Sequence, residues 1–247
     1  MPPIHFKARV SQVIRHSAEV VSLLLISEKR LPRFRPGQFI HLTLDPYDPS
    51  THWPESRVFS PANSVADRVT VRLTISRQGR YTSRIRAEAR EGTEVWAKGP
   101  YGEFVVDGSH GCDRVALIAG GTGITPFCAF MESALDAGTL PVRKCFLFYG
   151  ARVPELLVYR ELAERCVQSL PGFQATYFLE DGAHRWDGPA GRIRAGRLDL
   201  DAIVGALGPG SAAYYLSGPK AMVDRFRADL TGRFAVPAGR VLIDAWD

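Results

Sequence analysis

Val115-Ala116-Leu117-Ile118-Ala119, running straight into Gly120-Gly121-Thr122-Gly123-Ile124-Thr125-Pro126, decides the fold of the second half of this 247-residue chain. Five apolar residues in a row, bounded by glycine, read as a short strand buried on both faces. Pro126 then suits a first helical position, where a missing N–H costs nothing. Phe127, Phe130, Met131, Ala134 and Leu135 recur at helical spacing on one face, and Gly138 ends the run.

The same alternation continues toward the C-terminus. Residues 145–149, 175–179, 212–216 and 241–243 are strand-like. Pro154 is expected to open a helix carrying Leu156, Tyr159, Ala163, Cys166 and Val167 on one side, and Pro219 one carrying Met222, Val223, Phe226 and Leu230. Strands alternating with helices predict an α/β doubly wound parallel sheet.

Toward the N-terminus the pattern changes. Val69, Val71, Leu73 and Ile75 alternate with Thr70, Arg72, Thr74 and Ser76. Phe6, Ala8 and Val10 alternate with Lys7, Arg9 and Ser11, and Ile40, Leu42 and Leu44 with His41 and Thr43. Period-two strands punctuated by Pro36-Gly37, Asp48-Pro49, Gly79 and Gly99-Pro100 predict an antiparallel β-barrel or sandwich. The change falls around residues 105–112, giving two domains, 1–107 and 108–247.

Bulk properties narrow the class. Hydrophobic residues make up 45% and charged residues 23%, an ordinary globular balance. No apolar run is long enough to span a membrane, and Met1-Pro2-Pro3-Ile4-His5 has no secretory apolar core. None of the four cysteines forms a CxxC pair, which argues against zinc or an iron–sulfur cluster; buried free thiols point to the cytoplasm. The net charge of +5 lies entirely in the first half, with 16 Lys and Arg against 11 Asp and Glu up to Asp107, and 15 against 15 beyond it. No basic helical stripe or zinc-finger spacing accompanies the charge, so nucleic acid is a poor partner; the excess serves solubility or steers an acidic protein.

Three blocks carry candidate chemistry. Glycines at 120–123 let a backbone approach a phosphate closely, with helix N–H groups meeting its charge, although a tight βα turn explains them too. The spacing is neither GxGxxG nor a Walker loop. Arg57-Val58-Phe59-Ser60 offers a guanidinium, an aromatic ring and a hydroxyl; alone it is an unremarkable strand. Gly79-Arg80-Tyr81-Thr82 reads equally as a strand-to-helix turn.

Together, in this order, the blocks resemble the ferredoxin–NADP+ reductase family, particularly its single-chain bacterial ferredoxin/flavodoxin reductases, over nearly the whole chain. Pro36-Gly37-Gln38-Phe39 is similar to the PGQF entry to the flavin domain, and Arg57-Val58-Phe59-Ser60 to the RxYS flavin motif with phenylalanine for tyrosine. Gly79-Arg80-Tyr81-Thr82 resembles the Gly-x-x-Ser/Thr element, and Gly99-Pro100-Tyr101-Gly102 the GPxG turn between domains. Gly120 to Pro126 resembles the nicotinamide-nucleotide loop, and Ser217-Gly218-Pro219 the CGP element with serine for cysteine. Asp244-Ala245-Trp246-Asp247 resembles the aromatic tail over the flavin, one residue longer.

The resemblance implies FAD and NADP(H) as cofactors. Arg57 and Thr82, with Arg80 and Tyr81 beside them, would hold the FAD pyrophosphate. Phe59, next to Val58 of the same flavin-binding block, would stack on one face of the flavin and Trp246 on the other, with Ser60 near its N5 and Thr74 and Ile75 lining it from the neighbouring strand. Gly121, Thr122 and Gly123, with Gly218 and Pro219, would take the nucleotide, and Ser217 would stand beside the nicotinamide. The second strand ends Tyr149-Gly150-Ala151-Arg152 without an acid, and Arg192 and Arg194 follow in a GRI-like segment, so the 2′-phosphate of NADPH is favoured over NADH.

The expected protein is a monomeric, cytoplasmic flavoenzyme passing electrons between NADPH and an acidic carrier, ferredoxin or flavodoxin. An NADH-dependent reductase component of an oxygenase system, and a non-catalytic nucleotide-sensing subunit, are the alternatives.

Overall fold

Period-two alternation gives the N-terminal half one apolar side, and the chain closes that side on itself. The computed structural model describes residues 2–107, 111–189, 191–207 and 212–244. Its first half holds β1 (Ile4–Arg15), β2 (Val20–Ser27), β3 (Phe39–Thr43), β4 (Arg57–Phe59), β5 (Thr70–Ser76), α1 (Arg80–Glu88) and β6 (Glu94–Tyr101). The strands form one antiparallel sheet in the order β4-β3-β6-β1-β2-β5, and edge strands β4 and β5 come back into contact, so the barrel is nearly closed. Val10, Leu23, Leu25, Leu42, Leu73, Ile75 and Val95 fill it, and α1 adds Tyr81 and Ile85 to the same core.

The second half holds β7 (Arg114–Gly120), α2 (Thr125–Ala137), β8 (Lys144–Ala151), α3 (Arg160–Ser169), β9 (Phe173–Leu179), β10 (Ile193–Ala195), α4 (Leu200–Leu207), β11 (Ala212–Ser217), α5 (Lys220–Thr231) and β12 (Val241–Ile243). All six strands are parallel, ordered β10-β9-β8-β7-β11-β12. β7 shows why its sequence is apolar throughout. Val115, Leu117 and Ala119 pack with α2 and α3, while Ala116 and Ile118 pack with α4 and α5 on the opposite face. Gly138 ends α2 in the left-handed region, at φ 67°.

The segment after Pro154 departs from the expected single helix. A 3₁₀ turn at Pro154–Leu156 comes first, and the α-helix begins only at Arg160. Leu157, at φ −78° and ψ 61°, leaves the helical path, and this turns Leu157 and Tyr159 into the core. Burial of two large side chains outweighs continuity of one helix.

The two sheets are bolted together through α2. Arg72 of β5 pairs with Glu132 and also donates to the Ala62 carbonyl (2.7 Å). The Ser64 N–H donates to the other Glu132 oxygen (2.7 Å), and the Ser64 hydroxyl donates to Asp136 (2.5 Å). Phe104 and Val106, just beyond the barrel, sit in the core of the second sheet. No helix among the described residues is long and apolar enough to cross a membrane.

Glu132→Ala strands a largely buried guanidinium and the Ser64 N–H. The expected loss is about 2 kcal/mol, less than the roughly 3–5 kcal/mol of a fully buried pair because both side chains keep some exposure. A urea midpoint within error of the parent would refute it.

Candidate functional site

A cleft of about 600 Å³ opens where the barrel meets the carboxyl ends of β7, β11 and β12. In this sheet the strand order reverses between β7 and β11, the position at which open parallel sheets bind their ligands.

The barrel supplies one wall. β4 places Arg57, Val58 and Phe59 on the cleft, followed by Ser60. From β5, Thr74 and Ser76 face it. Ile75 does not: its side chain is 2% exposed inside the barrel, because strand alternation sends neighbours to opposite faces. The expectation that its side chain lines the flavin is corrected accordingly. The N-terminal turn of α1 brings Gly79, Arg80, Tyr81 and Thr82. Thr82 Oγ1 accepts from the N–H groups of Gln78 (2.9 Å) and Gly79 (3.1 Å), which fixes the helix start at the cleft. The Tyr81 ring is buried, and its hydroxyl donates to the Glu55 carbonyl (2.9 Å). Arg57 lies over that ring at 5.0 Å and donates to Glu55 (3.1 Å), and Arg80 stands 3.6 Å from the same carboxylate.

The parallel sheet supplies the other wall through Gly121, Thr122 and Gly123, a 3₁₀ turn after β7, and through Ser217, Gly218 and Pro219 after β11. Gly123 is dictated by contact. A Cβ there would stand 2.4 Å from the Ser217 carbonyl and 2.5 Å from the Gly218 nitrogen. Thus the two loops touch backbone to backbone, a contact that only glycine at this position permits.

Two polar groups mark where a ligand fits. Ser60 Oγ is buried with no hydrogen-bond partner, an arrangement that costs free energy unless a ligand meets it. Ser217 is 1% exposed and donates to Asp244 Oδ2 at 2.8 Å. Asp244 itself is 7% exposed and anchored by its N–H on the Leu216 carbonyl (2.9 Å). In the sequence Asp244 stands out only as the first residue of the tail. Its signal is position: the first polar residue after the last strand of a parallel sheet lands on the ligand edge.

The remaining expected residues lie elsewhere. Arg152 is exposed just past the end of β8, outside the cleft lining. Arg192 donates to Glu164 (2.7 Å), which also accepts from the Tyr177 hydroxyl (2.7 Å). Its charge is thus compensated by a carboxylate of the protein itself. Trp246 lies outside the described residues. Burial raises the thiol pKa values of Cys128, Cys145 and Cys166, the last to about 12, so these thiols are not nucleophiles.

A nearly closed barrel joined across one cleft to a doubly wound sheet gives a two-domain architecture in which each domain supplies one wall. Residues 117–228 match the oxidoreductase NAD-binding domain. The chain is 27% identical to the flavohemoprotein of Deinococcus radiodurans over 94% of its own length and 57% of that protein's, so it spans little more than half of that relative. It is 26% identical to ferredoxin–NADP reductase B of Sorangium cellulosum over 87% of its length and 86% of that protein's. The crystal structure of an Amycolatopsis cytochrome P450 reductase superposes with a TM-score of 0.79 at 25% identity, covering 98% of this chain and 70% of that one. The domain match and these relatives support the ferredoxin–NADP+ reductase family of flavoprotein reductases for this chain.

Gly123→Ala forces the two loops apart. The expected outcome is a loss of roughly 1–3 kcal/mol of stability, the range for overpacking, read as a lowered thermal midpoint. Gly121→Ala, whose Cβ meets nothing within 4 Å but whose φ is +55°, is the control and costs less, about 1 kcal/mol.

Proposed function

We propose that this chain is an FAD-dependent reductase that takes a hydride from a reduced pyridine nucleotide and passes electrons singly to a protein carrier. Residues 1–107 form its FAD domain and residues 108–247 its nucleotide domain. The observation that carries the reading is the unpartnered Ser60 hydroxyl on the wall facing the Gly121–Gly123 loop, in a cleft sized for a small molecule.

The residues fit FAD. Arg57, Arg80 and the first turn of α1 offer positive charge for a pyrophosphate, Phe59 and Val58 an apolar wall for a flat ring, and Ser60 a hydrogen bond at its edge. When bound, the flavin supplies the exchange between a two-electron donor and one-electron acceptors, which no side chain performs. The protein's part is to orient and to exclude water. The Gly121–Gly123 turn and the Ser217–Pro219 loop seat the nucleotide, and the Ser217–Asp244 bond fixes the hydroxyl beside it.

We take NADPH as the nucleotide, read by Arg152. Arg192's bond to Glu164 favours the second reading, an NADH-dependent reductase component of an oxygenase system. Val58, Phe59, Ser60 and Thr74 gathered on one cleft wall argue against a non-catalytic sensor. The acceptor is taken to be acidic, a ferredoxin or flavodoxin, because the whole charge excess lies before Asp107. A cytoplasmic location fits the free thiols, and the protein is taken to be a monomer.

Ser60→Ala is expected to keep the flavin, released by acid as FAD, while slowing its reduction by about 10-fold, the value of one hydrogen bond. Stopped-flow mixing with NADPH and NADH measures this, and an unchanged rate refutes the assignment. Arg152→Ala is expected to raise the KM for NADPH about 10-fold and leave that for NADH unchanged, and Arg192→Ala to change the ratio little. Equal effects of Arg152→Ala on both nucleotides would favour the NADH reading. Transfer to an acidic protein acceptor weakens with added salt, whereas ferricyanide reduction holds steady.

A further inference from the structure

Four polar side chains form an unbroken line from the turn between β1 and β2 to the cleft and the second domain. His16 Nε2 lies 2.8 Å from Ser22 Oγ, Ser22 Oγ lies 2.6 Å from Thr74 Oγ1, and Thr74 Oγ1 lies 2.5 Å from the Tyr159 hydroxyl. Ser22 and Thr74 are cross-strand partners on β2 and β5, 2% and 5% exposed. Of the four, Thr74 lines the cleft, and His16, half-buried, is the end open to solvent.

The donors follow from chemistry. Burial raises the Tyr159 pKa, so that hydroxyl keeps its proton, with the Arg72 guanidinium over its ring opposing the rise. Burial lowers the His16 pKa, which keeps its imidazole neutral with one ring nitrogen free to accept. With Tyr159 donating to Thr74, Thr74 to Ser22 and Ser22 to His16, every hydroxyl donates once and the line points one way, toward solvent.

We propose that Thr74, Ser22 and His16 form the proton exit of the cleft. The inference rests on the reading of that cleft as a hydride-to-electron converter. One reduced nucleotide and two oxidised one-electron carriers give one oxidised nucleotide, two reduced carriers and one proton. That proton starts at a wall where Ser60 and Thr74 are 4% and 5% exposed, so water reaches it poorly. Thr74 Oγ1 accepts it as its own proton passes to Ser22, Ser22 passes one to His16 Nε2, and the imidazolium releases one to water. Only O–H and N–H bonds change, and the hydroxyls rotate back to reset the line.

Ser22→Ala cuts the line at a residue outside the cleft lining, and His16→Ala removes the terminal acceptor. In the flavin-loaded protein reduced by one equivalent of NADPH and then mixed with ferricyanide, flavin absorbance reports electrons and a pH indicator in weak buffer reports protons. Proton release is expected to fall behind by on the order of 100-fold in both variants, the lower range for a positioned proton-transfer group, with flavin reduction by NADPH unchanged. Free imidazole should restore release in His16→Ala and not in Ser22→Ala, a response that a packing role cannot give. Without turnover, the His16 ring ¹⁵N resonances should move on flavin reduction in the parent and stay fixed in Ser22→Ala. Release that keeps pace with electron loss in both variants overturns the proposal, as does a lag confined to Asp244→Asn. A chain that takes up no flavin fails the underlying reading instead, and if Ser22→Ala does not fold, His16→Ala with imidazole decides alone.

Discussion

Arg72 holds the molecule in register. It lies on the barrel's outer face, pairs with Glu132 of α2, holds the Ala62 carbonyl and stands 5.5 Å from the Tyr159 ring centroid. A largely buried guanidinium tolerates few alternatives to a matched carboxylate, so the pair fixes how the two sheets meet. The cleft is built from both: Ser60 and Thr74 on one side, Gly123 and Ser217 on the other. Because Thr74 is two residues from Arg72 on the same strand face, whatever tilts the ion pair tilts the cleft wall.

Much of this was legible in the chain. β7, its glycine turn and α2 follow from five apolar residues, Pro126 and Gly138, since each local preference agrees with the fold. β5 follows from strict alternation. β2 was harder: Val20-Val21-Ser22-Leu23-Leu24-Leu25-Ile26 has no clean period, because residues on both faces are covered, and only Ile26 is well exposed. α4 went unread because eight residues give too little periodicity. The Pro154 segment failed for another reason: the energy that bends it lies in contacts with residues distant in sequence.

The site divides in the same way. The blocks around Arg57, Gly79, Gly120 and Ser217 were visible because a ligand-facing turn needs particular residue types, and fourteen of the expected residues line the cleft. Charge partners were invisible. Arg192 reads as a free cation in sequence, yet Glu164, 28 positions away, holds it. Ile75 was a parity error, correctable from the alternation itself. Asp244 acquires meaning only when β12 pairs with β11 and carries it beside Ser217.

Glu55 holds the cleft's cations before any anion reaches them. Its carboxylate takes Arg57 and stands near Arg80, while its carbonyl accepts from Tyr81. An arginine side chain left free carries about 2 kcal/mol of rotamer entropy that a ligand must suppress on binding. Here part of that ordering is already done by a surface carboxylate, whose own pull on an exposed guanidinium is only about 0–1 kcal/mol. Any anion entering the cleft has to displace this weak incumbent, and it meets guanidiniums already gathered at the rim.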